Sequence, residues 1–240
     1  MIKRQLLTEI QRFSHKKKAI IVLGPRQVGK TTLIKTLMGS DEYLLLNGDD
    51  SAVARQLSEA DTFKIKQIIG NHSKVFVDEA QKINNIGNTL KIISDQMPHV
   101  ELFISGSSTL EMNQATQEPL TGRKFEFELF PISWKEFENH IGYLNAENQL
   151  EHRLVYGMYP DVLNDPTIET KTLKNLTQSY LYQDILALAG IRKPDILDRL
   201  LTALALQIGS EVSYNELSQL LQIDKGTVIK YIDLLEQSFI

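Results

Sequence analysis

The stretch Val22-Leu23-Gly24-Pro25-Arg26-Gln27-Val28-Gly29-Lys30-Thr31-Thr32-Leu33 decides how this chain is read. Residues Gly24 to Thr31 match G-x-x-x-x-G-K-[ST] at every fixed position. A short apolar run, Ala19 to Leu23, leads in, and a helix-compatible segment, Lys30 to Met38, leads out. That strand, loop and helix context separates the pattern from an ordinary glycine turn with a lysine after it. Gly24 and Gly29 permit a tight turn and let backbone N–H groups approach an anion. The helix starting near Gly29 points its free N–H groups and positive end at the same place. Pro25, Arg26, Gln27 and Val28 form the loop itself, and Thr32 continues the first helical turn. Lys30 can reach β- and γ-phosphates, and Thr31 supplies a hydroxyl for Mg2+.

About 50 residues on comes Lys74-Val75-Phe76-Val77-Asp78-Glu79-Ala80-Gln81, a buried strand that ends in two acids. In a parallel α/β sheet, ligand groups collect at the carboxyl ends of the strands. Asp78 is expected to hold Mg2+ beside Thr31, and Glu79 to polarise the water that attacks the γ-phosphate. Alone, the pair reads equally as two solvated acids capping a helix. After a complete phosphate loop it points to hydrolysis of ATP.

The bulk numbers fit a globular chain of this kind. Its 240 residues are 42% hydrophobic and 23% charged, enough for one large domain or a domain with a smaller module. There are no cysteines, which excludes disulfides and thiolate metal sites and favours a cytoplasmic location. No apolar run approaches the roughly 18–20 residues of a membrane span, and Met1 to Ser14 lacks the apolar core of a signal peptide. A formal net charge of −4 gives no global case for nucleic-acid binding.

Further elements follow from periodicity. Ile2, Leu6, Leu7, Ile10 and Phe13 sit at helical spacing, which predicts an amphipathic helix beside the loop. Lys16-Lys17-Lys18 reads as a solvated turn. Tyr43 to Leu46 predicts a second buried strand, and Ser51–Leu57, Thr62–Ile69 and Asn85–Gln96 predict helices. Val100 to Ile104 is another buried strand, closed by Ser105-Gly106-Ser107-Ser108. A hydroxyl there can touch the γ-phosphate or the lytic water, or Ser107 or Ser108 can cap the next helix, and the two readings are compatible. Phe125, Phe127 and Leu129 alternate with Lys124, Glu126 and Glu128, a half-buried strand suited to a sheet edge. Arg123, just before it, is either a surface arginine or one that reaches a phosphate in its own site or a neighbour's. Ser133-Trp134-Lys135-Glu136 fits a capping box opening a helix to Ile141. Gly142 to Asn148 is a polar break, Leu150–Tyr156 is helical, and Thr170–Leu188 reads as one long helix.

Beyond Gly190, three helices are expected, with a tight turn at Gln222-Ile223-Asp224 before the last, as in a helix-turn-helix. Val228, Ile232 and Leu235 should face its core. From Ile191 onward there are five basic against seven acidic residues, a net of −2, so a DNA partner and a protein partner both stay open. Leu235 to Ile240 is apolar where a β-wing would begin, and reads as a winged helix cut short.

Gly24–Thr32, Val77-Asp78-Glu79-Ala80-Gln81, Ile104–Ser108, Leu120-Thr121-Gly122-Arg123 and Phe130-Pro131-Ile132-Ser133 occur in that order. Together they resemble the prokaryotic AAA-type (archaeal-type) P-loop ATPases, over essentially the whole chain. The resemblance implies nucleotide and Mg2+ at Lys30 and Thr31, and Asp78 and Glu79 as the acidic pair. It places Ser107 at a sensor position and Arg123 where an arginine finger stands. It also implies a C-terminal winged helix and, in typical members, a further region after it.

The expectation is therefore an α/β P-loop NTPase three-layer sandwich with a parallel five-stranded sheet, order 5-1-4-3-2, followed by an all-α helix-turn-helix module. Its parts are an ATPase domain at 1–142, a helical linker or lid at 143–190 and the helix-turn-helix at 191–240. ATP/ADP and Mg2+ are the expected ligands, a homo-oligomer is an open possibility, and no membrane is involved. The leading function is Mg-dependent ATP hydrolysis by a conformational switch or motor. The alternative is a nucleotide-gated, DNA-associated regulator with slow or no turnover. A small-molecule kinase shares the loop, but no acceptor motif or lid arginine cluster accompanies it.

Overall fold

Ala19-Ile20-Ile21-Val22-Leu23 is apolar at every position, which suits a strand only where both of its faces are covered. In the computed structural model this segment is β1 (Ala19–Leu23), buried throughout. The structure describes residues 1–14, 16–59, 61–107, 119–177 and 194–239. The sequence readings at Ser108, at 178–188 of the long helix and at the 190–193 boundary lie outside them.

The other strands are β2 (Leu44–Asn47), β3 (Lys74–Asp78), β4 (Glu101–Gly106) and β5 (Lys124–Glu128). They form one sheet in the order β2-β3-β4-β1-β5, with every neighbouring pair parallel. This is the expected order. Register sets Val77 beside Ile104, and Leu23 beside both Gly106 and Glu128, so the carboxyl ends of β1, β3 and β4 converge. One sequence reading is corrected. Tyr43 to Leu46 is not a buried strand but an edge strand, with Leu45 42% exposed, because β2 has only β3 for a neighbour.

Helices cover the sheet. α1 (Gln5–Gln11) and α2 (Lys30–Met38) bring Ile10, Leu33, Ile34 and Met38 onto Ile20, Val22, Phe76, Phe103 and Phe127. Strand alternation turns Ile21, Val75, Val77 and Ile104 the other way. They are buried too, together with apolar residues of α3 (Ser51–Ser58), α4 (Thr62–Ile69) and α5 (Ile86–Gln96). Asp50 and Asp61 cap α3 and α4 by accepting backbone N–H bonds. None of the described helices is long and apolar enough to cross a membrane.

After β5 come α6 (Trp134–Ile141), α7 (Tyr143–Glu147), α8 (Leu150–Tyr156) and α9 (Pro160–Asn164). Ser133 and Glu136 complete the predicted capping box on α6. The supposed polar break at 142–148 contains α7, whose Ala146 is buried against Ile132 and Phe137. The Ile132 N–H also donates to the Met158 carbonyl at 2.9 Å. The chain divides into two compact units, Met1–Glu169 and Thr170–Ile240. The expected boundary at residue 142 therefore falls inside the first unit, since residues on both sides of it share one core.

α10 (Glu169–Leu176) begins at the junction of the units. In the second unit, α11 (Pro194–Ala205), α12 (Tyr214–Leu221) and α13 (Lys225–Gln237) enclose Leu197, Leu200, Leu217, Leu221, Val228, Ile232 and Leu235. Gln222, in a left-handed conformation at φ 56°, makes the turn between α12 and α13. A helix-turn-helix core is thus present, and the described residues of this unit include no wing strand.

Candidate functional site

The phosphate loop leaves β1 at Leu23 and enters α2 at Lys30. Gly24 has no room for a side chain: a Cβ there would lie 2.1 Å from the Leu129 carbonyl oxygen. Leu129 arrives there because its N–H donates to the Leu23 carbonyl at 2.7 Å, extending the β1–β5 pairing. Gln27 and Gly29 take left-handed backbone angles, φ 62° and 93°, which wrap the loop around the start of α2. Lys30 is only 5% exposed, and its ammonium donates to the carbonyls of Gly24 (2.8 Å) and Pro25 (2.7 Å). Arg26 to Thr32 complete the loop and first helical turn as expected, with Val28 in the core.

β3 brings Asp78 to this loop. The Thr31 hydroxyl donates to Asp78 Oδ2 at 2.9 Å, and the Ser105 hydroxyl donates to Asp78 Oδ1. One carboxylate is thereby oriented by residues from α2 and β4. Ser105 is fully buried. The sequence reading takes it as one of several hydroxyls near the γ-phosphate and not as a partner of Asp78, although the β3–β4 register, extended by one residue, puts it beside Asp78.

Glu79 has different partners. Its backbone is left-handed, φ 50° and ψ 45°, a costly conformation for a glutamate. Gln81 donates through Nε2 to Glu79 Oε2 at 2.6 Å and to the Ser107 hydroxyl at 2.9 Å. Ser107 lies 3.4 Å from the same carboxylate oxygen. A side-chain cage from two strand ends thus holds Glu79, and Ser107 belongs to it. Gln81 is a residue the sequence reading left without a role. Its signal was its place two residues after Glu79, in the short helical turn Ala80–Lys82.

Gly48 follows β2 and packs on the same backbone. Its N–H donates to the Asp78 carbonyl at 2.8 Å, and a Cβ on it would meet the Glu79 carbonyl oxygen at 2.3 Å. Beside the loop, a cleft of about 700 Å³ runs along Ile2, Arg4 and Leu7, Gln27 to Leu33, Glu79, Ile132 and Pro160. That size suits a small-molecule ligand.

Arg123 is elsewhere. Its carbonyl accepts from the Ala19 N–H at 2.9 Å, which sets it at the start of β5, next to the start of β1. The loop leaves the opposite end of β1, roughly 16 Å away for five strand residues. The structure thus does not bring Arg123 to the loop of its own chain. Its Nε pairs instead with Asp95 Oδ1 at 2.5 Å on the surface.

Metal fit is tested by these donors. Thr31 and Asp78 place a hydroxyl and a carboxylate oxygen within 2.9 Å of each other at the mouth of the loop, an all-oxygen pair of the kind Mg2+ takes along with phosphate oxygens.

Comparison with known proteins agrees with this geometry. Residues 16–138 match a family described as an AAA domain, and residues 147–240 match a domain of unknown function. An uncharacterised protein of Methanocaldococcus jannaschii is 23% identical, covering 92% of this chain and 55% of its own length. One from Haemophilus influenzae is 25% identical, with 92% and 60% covered. The chain thus spans a little over half the length of these curated relatives. Among solved structures, the Walker-type ATPase Paby2304 of Pyrococcus abyssi aligns over 99% of this chain and 90% of its own, at TM-score 0.66 and 14% identity. The ORC2 protein of Aeropyrum pernix, in an ADP form, aligns over 98% and 85%, at TM-score 0.52 and 14% identity. These likenesses speak for the fold, a P-loop ATPase fold that implies nucleotide binding. With its phosphate loop, acidic strand end and matched residues, the chain belongs to the AAA domain family.

Proposed function

We propose that this protein binds ATP with Mg2+ and hydrolyses it, using the cycle as a conformational switch or motor. The observation that carries this reading is the division of labour between two adjacent carboxylates. Asp78 is turned to Thr31 and Ser105, at the place where a metal would be held. Glu79 is turned to Gln81 and Ser107 instead, which leaves it to act as general base toward a water. Lys30 and the loop amides bind the phosphates. Mg2+, held by Thr31 and Asp78, would supply positive charge to the phosphate oxygens.

Arg123 is too far from its own loop to serve it. In a homo-oligomer it can face the loop of the next subunit, and its surface pair with Asp95 is the contact it would give up. Steady-state ATP hydrolysis with Mg2+, measured across protein concentration, tests both points. The parent should turn over ATP, with activity rising more than linearly with protein. Lys30→Ala should lose binding, and Glu79→Gln should keep binding while turnover falls about 100-fold or more. A parent that binds ATP but hydrolyses none at any concentration would overturn the hydrolysis reading in favour of a nucleotide-gated regulator.

That second reading draws on the helix-turn-helix. Its α13 starts at Asp224, whose carboxylate accepts from the Thr227 hydroxyl and N–H. Those bonds hold its pKa below the usual carboxylate value. A negative charge at that helix end opposes a DNA phosphate there, so any DNA contact by this unit would have to come from other residues.

A further inference from the structure

Arg4 precedes α1 and its guanidinium is spread over three other parts of the first unit. Nη1 donates to the Val28 carbonyl at 2.9 Å. Nη2 donates to the Phe130 carbonyl at 2.5 Å and lies 3.4 Å from that of Pro131. Nε faces both oxygens of Glu136, at 3.3 and 3.2 Å. Glu136 in turn accepts from the Gln5 N–H at 2.7 Å and the Ser133 N–H at 2.9 Å, so it fixes the starts of α1 and α6 together. The pair is largely buried, with side-chain exposures of 12% and 6%.

Val28 is the consequential contact. It is the residue before Gly29, and all described peptide bonds are trans. In a trans peptide the carbonyl of one residue and the N–H of the next point to opposite sides of one plane. Holding the Val28 carbonyl toward Arg4 therefore turns the Gly29 N–H away from it, toward the anion cradle at the start of α2. Gly29 holds φ 93°, a conformation glycine adopts freely, and no atom lies within 4 Å of where a Cβ would be. A glycine peptide with open space around it needs an outside hold to keep one orientation.

We propose that Arg4 is a positioning residue for nucleotide: it locks the Val28–Gly29 peptide with its N–H presented to phosphate, and through Glu136 couples that lock to α1 and α6. The inference rests on the nucleotide-binding reading above. Only a planar fork serves three carbonyl and carboxylate directions at once, so Lys, a point donor of equal charge, keeps the Glu136 pair but not the whole set.

The test is a titration of fluorescent mant-ATP and of ADP, with Mg2+, into the full chain carrying Arg4→Lys, Arg4→Met or Glu136→Gln. A thermal melt without nucleotide and steady-state kinetics accompany it. Arg4→Lys should melt within a few degrees of the parent yet bind both nucleotides about tenfold more weakly, the scale of one charge-assisted hydrogen bond. KM should rise by a similar factor while kcat stays within about twofold. Glu136→Gln, which keeps the Val28 contact, should lose less affinity than either Arg4 variant. If Arg4→Lys binds as tightly as the parent, the inference fails and Arg4 is a structural staple. It fails equally if affinity drops only in variants whose free-protein melt has collapsed. A parent that binds neither nucleotide removes the underlying reading itself, a result separate from these.

Discussion

Gly48→Ala is a small substitution that should be felt both in stability and at the site. Gly48 sits where the chain leaves β2 and donates its N–H to the Asp78 carbonyl. An added methyl would stand 2.3 Å from the Glu79 carbonyl oxygen, 3.1 Å from its carbon and 3.2 Å from the Asp78 carbonyl oxygen. All three atoms are backbone, so no side chain can swing aside. The two strand exits must part by about 1.1 Å to reach an ordinary contact, the kind of overpacking that costs about 1–3 kcal/mol. For a unit of this size, that lowers the melting temperature by roughly 2–12 °C. The segment that moves carries Asp78 and Glu79, and misplacement approaching 1 Å costs up to about 100-fold in rate. ATP turnover should thus fall about tenfold or more, by more than nucleotide affinity does. Differential scanning calorimetry with a coupled ATPase assay reads both. Gly70→Ala is the control: unlike Gly48, Gly70 has a positive φ, 56°, but a Cβ on it would meet open space, away from the loop. It should cost about 1 kcal/mol and leave kcat alone. If Gly48→Ala melts with the parent and turns over ATP at the parent's rate, the close approach of β2 to the acidic strand end does not position the carboxylates.

Other perturbations have definite directions. Thr31→Val removes the hydroxyl that faces Asp78, so Mg2+ should improve ATP affinity much less than in the parent; equal enhancement by calorimetry would refute this. Burial pushes the Glu136 pKa up, but the Ser133 and Gln5 amides and the Arg4 charge outweigh it and hold the carboxyl below its usual 4.5. That stability is present above pH about 4.5 and is lost as pH falls further; Glu136→Gln should flatten this acid limb of the melting curve. Glu169→Ala leaves Arg153, 4% exposed, without the carboxylate it meets in the fold, and should destabilise the first unit by about 3–5 kcal/mol in a urea titration.

What was legible in the sequence was what is local or periodic. The loop is contiguous, and β1, β3 and β4 announce themselves as unbroken apolar runs because a parallel sheet buries both faces. β2 was misjudged because Leu44 to Leu46 is the same kind of run placed at an edge. The cage around the acids was harder. Ser105 meets Asp78 across 27 positions, Ser107 meets Glu79 across 28, and Arg4 meets Glu136 across 132. The two serine pairs follow from strand register, and the Arg4 pair from the meeting of the starts of α1 and α6. Arg123 was ambiguous for a related reason: the sequence puts it just before β5, but only the parallel pairing of β5 with β1 sets that end away from the loop. The short helices α7 and α9, five residues each, carry too few turns for an apolar stripe.

Glu79 itself sets a tension between folding and chemistry. A side chain at φ 50° costs the native state on the order of 1 kcal/mol or more, a cost that glycine escapes and asparagine bears more lightly. Glu79→Gly or Glu79→Asn should therefore leave a sturdier fold, at the expense of the carboxylate that the proposed mechanism uses. The backbone at this position works against a glutamate, and under the proposed mechanism it is the carboxylate that offsets that cost.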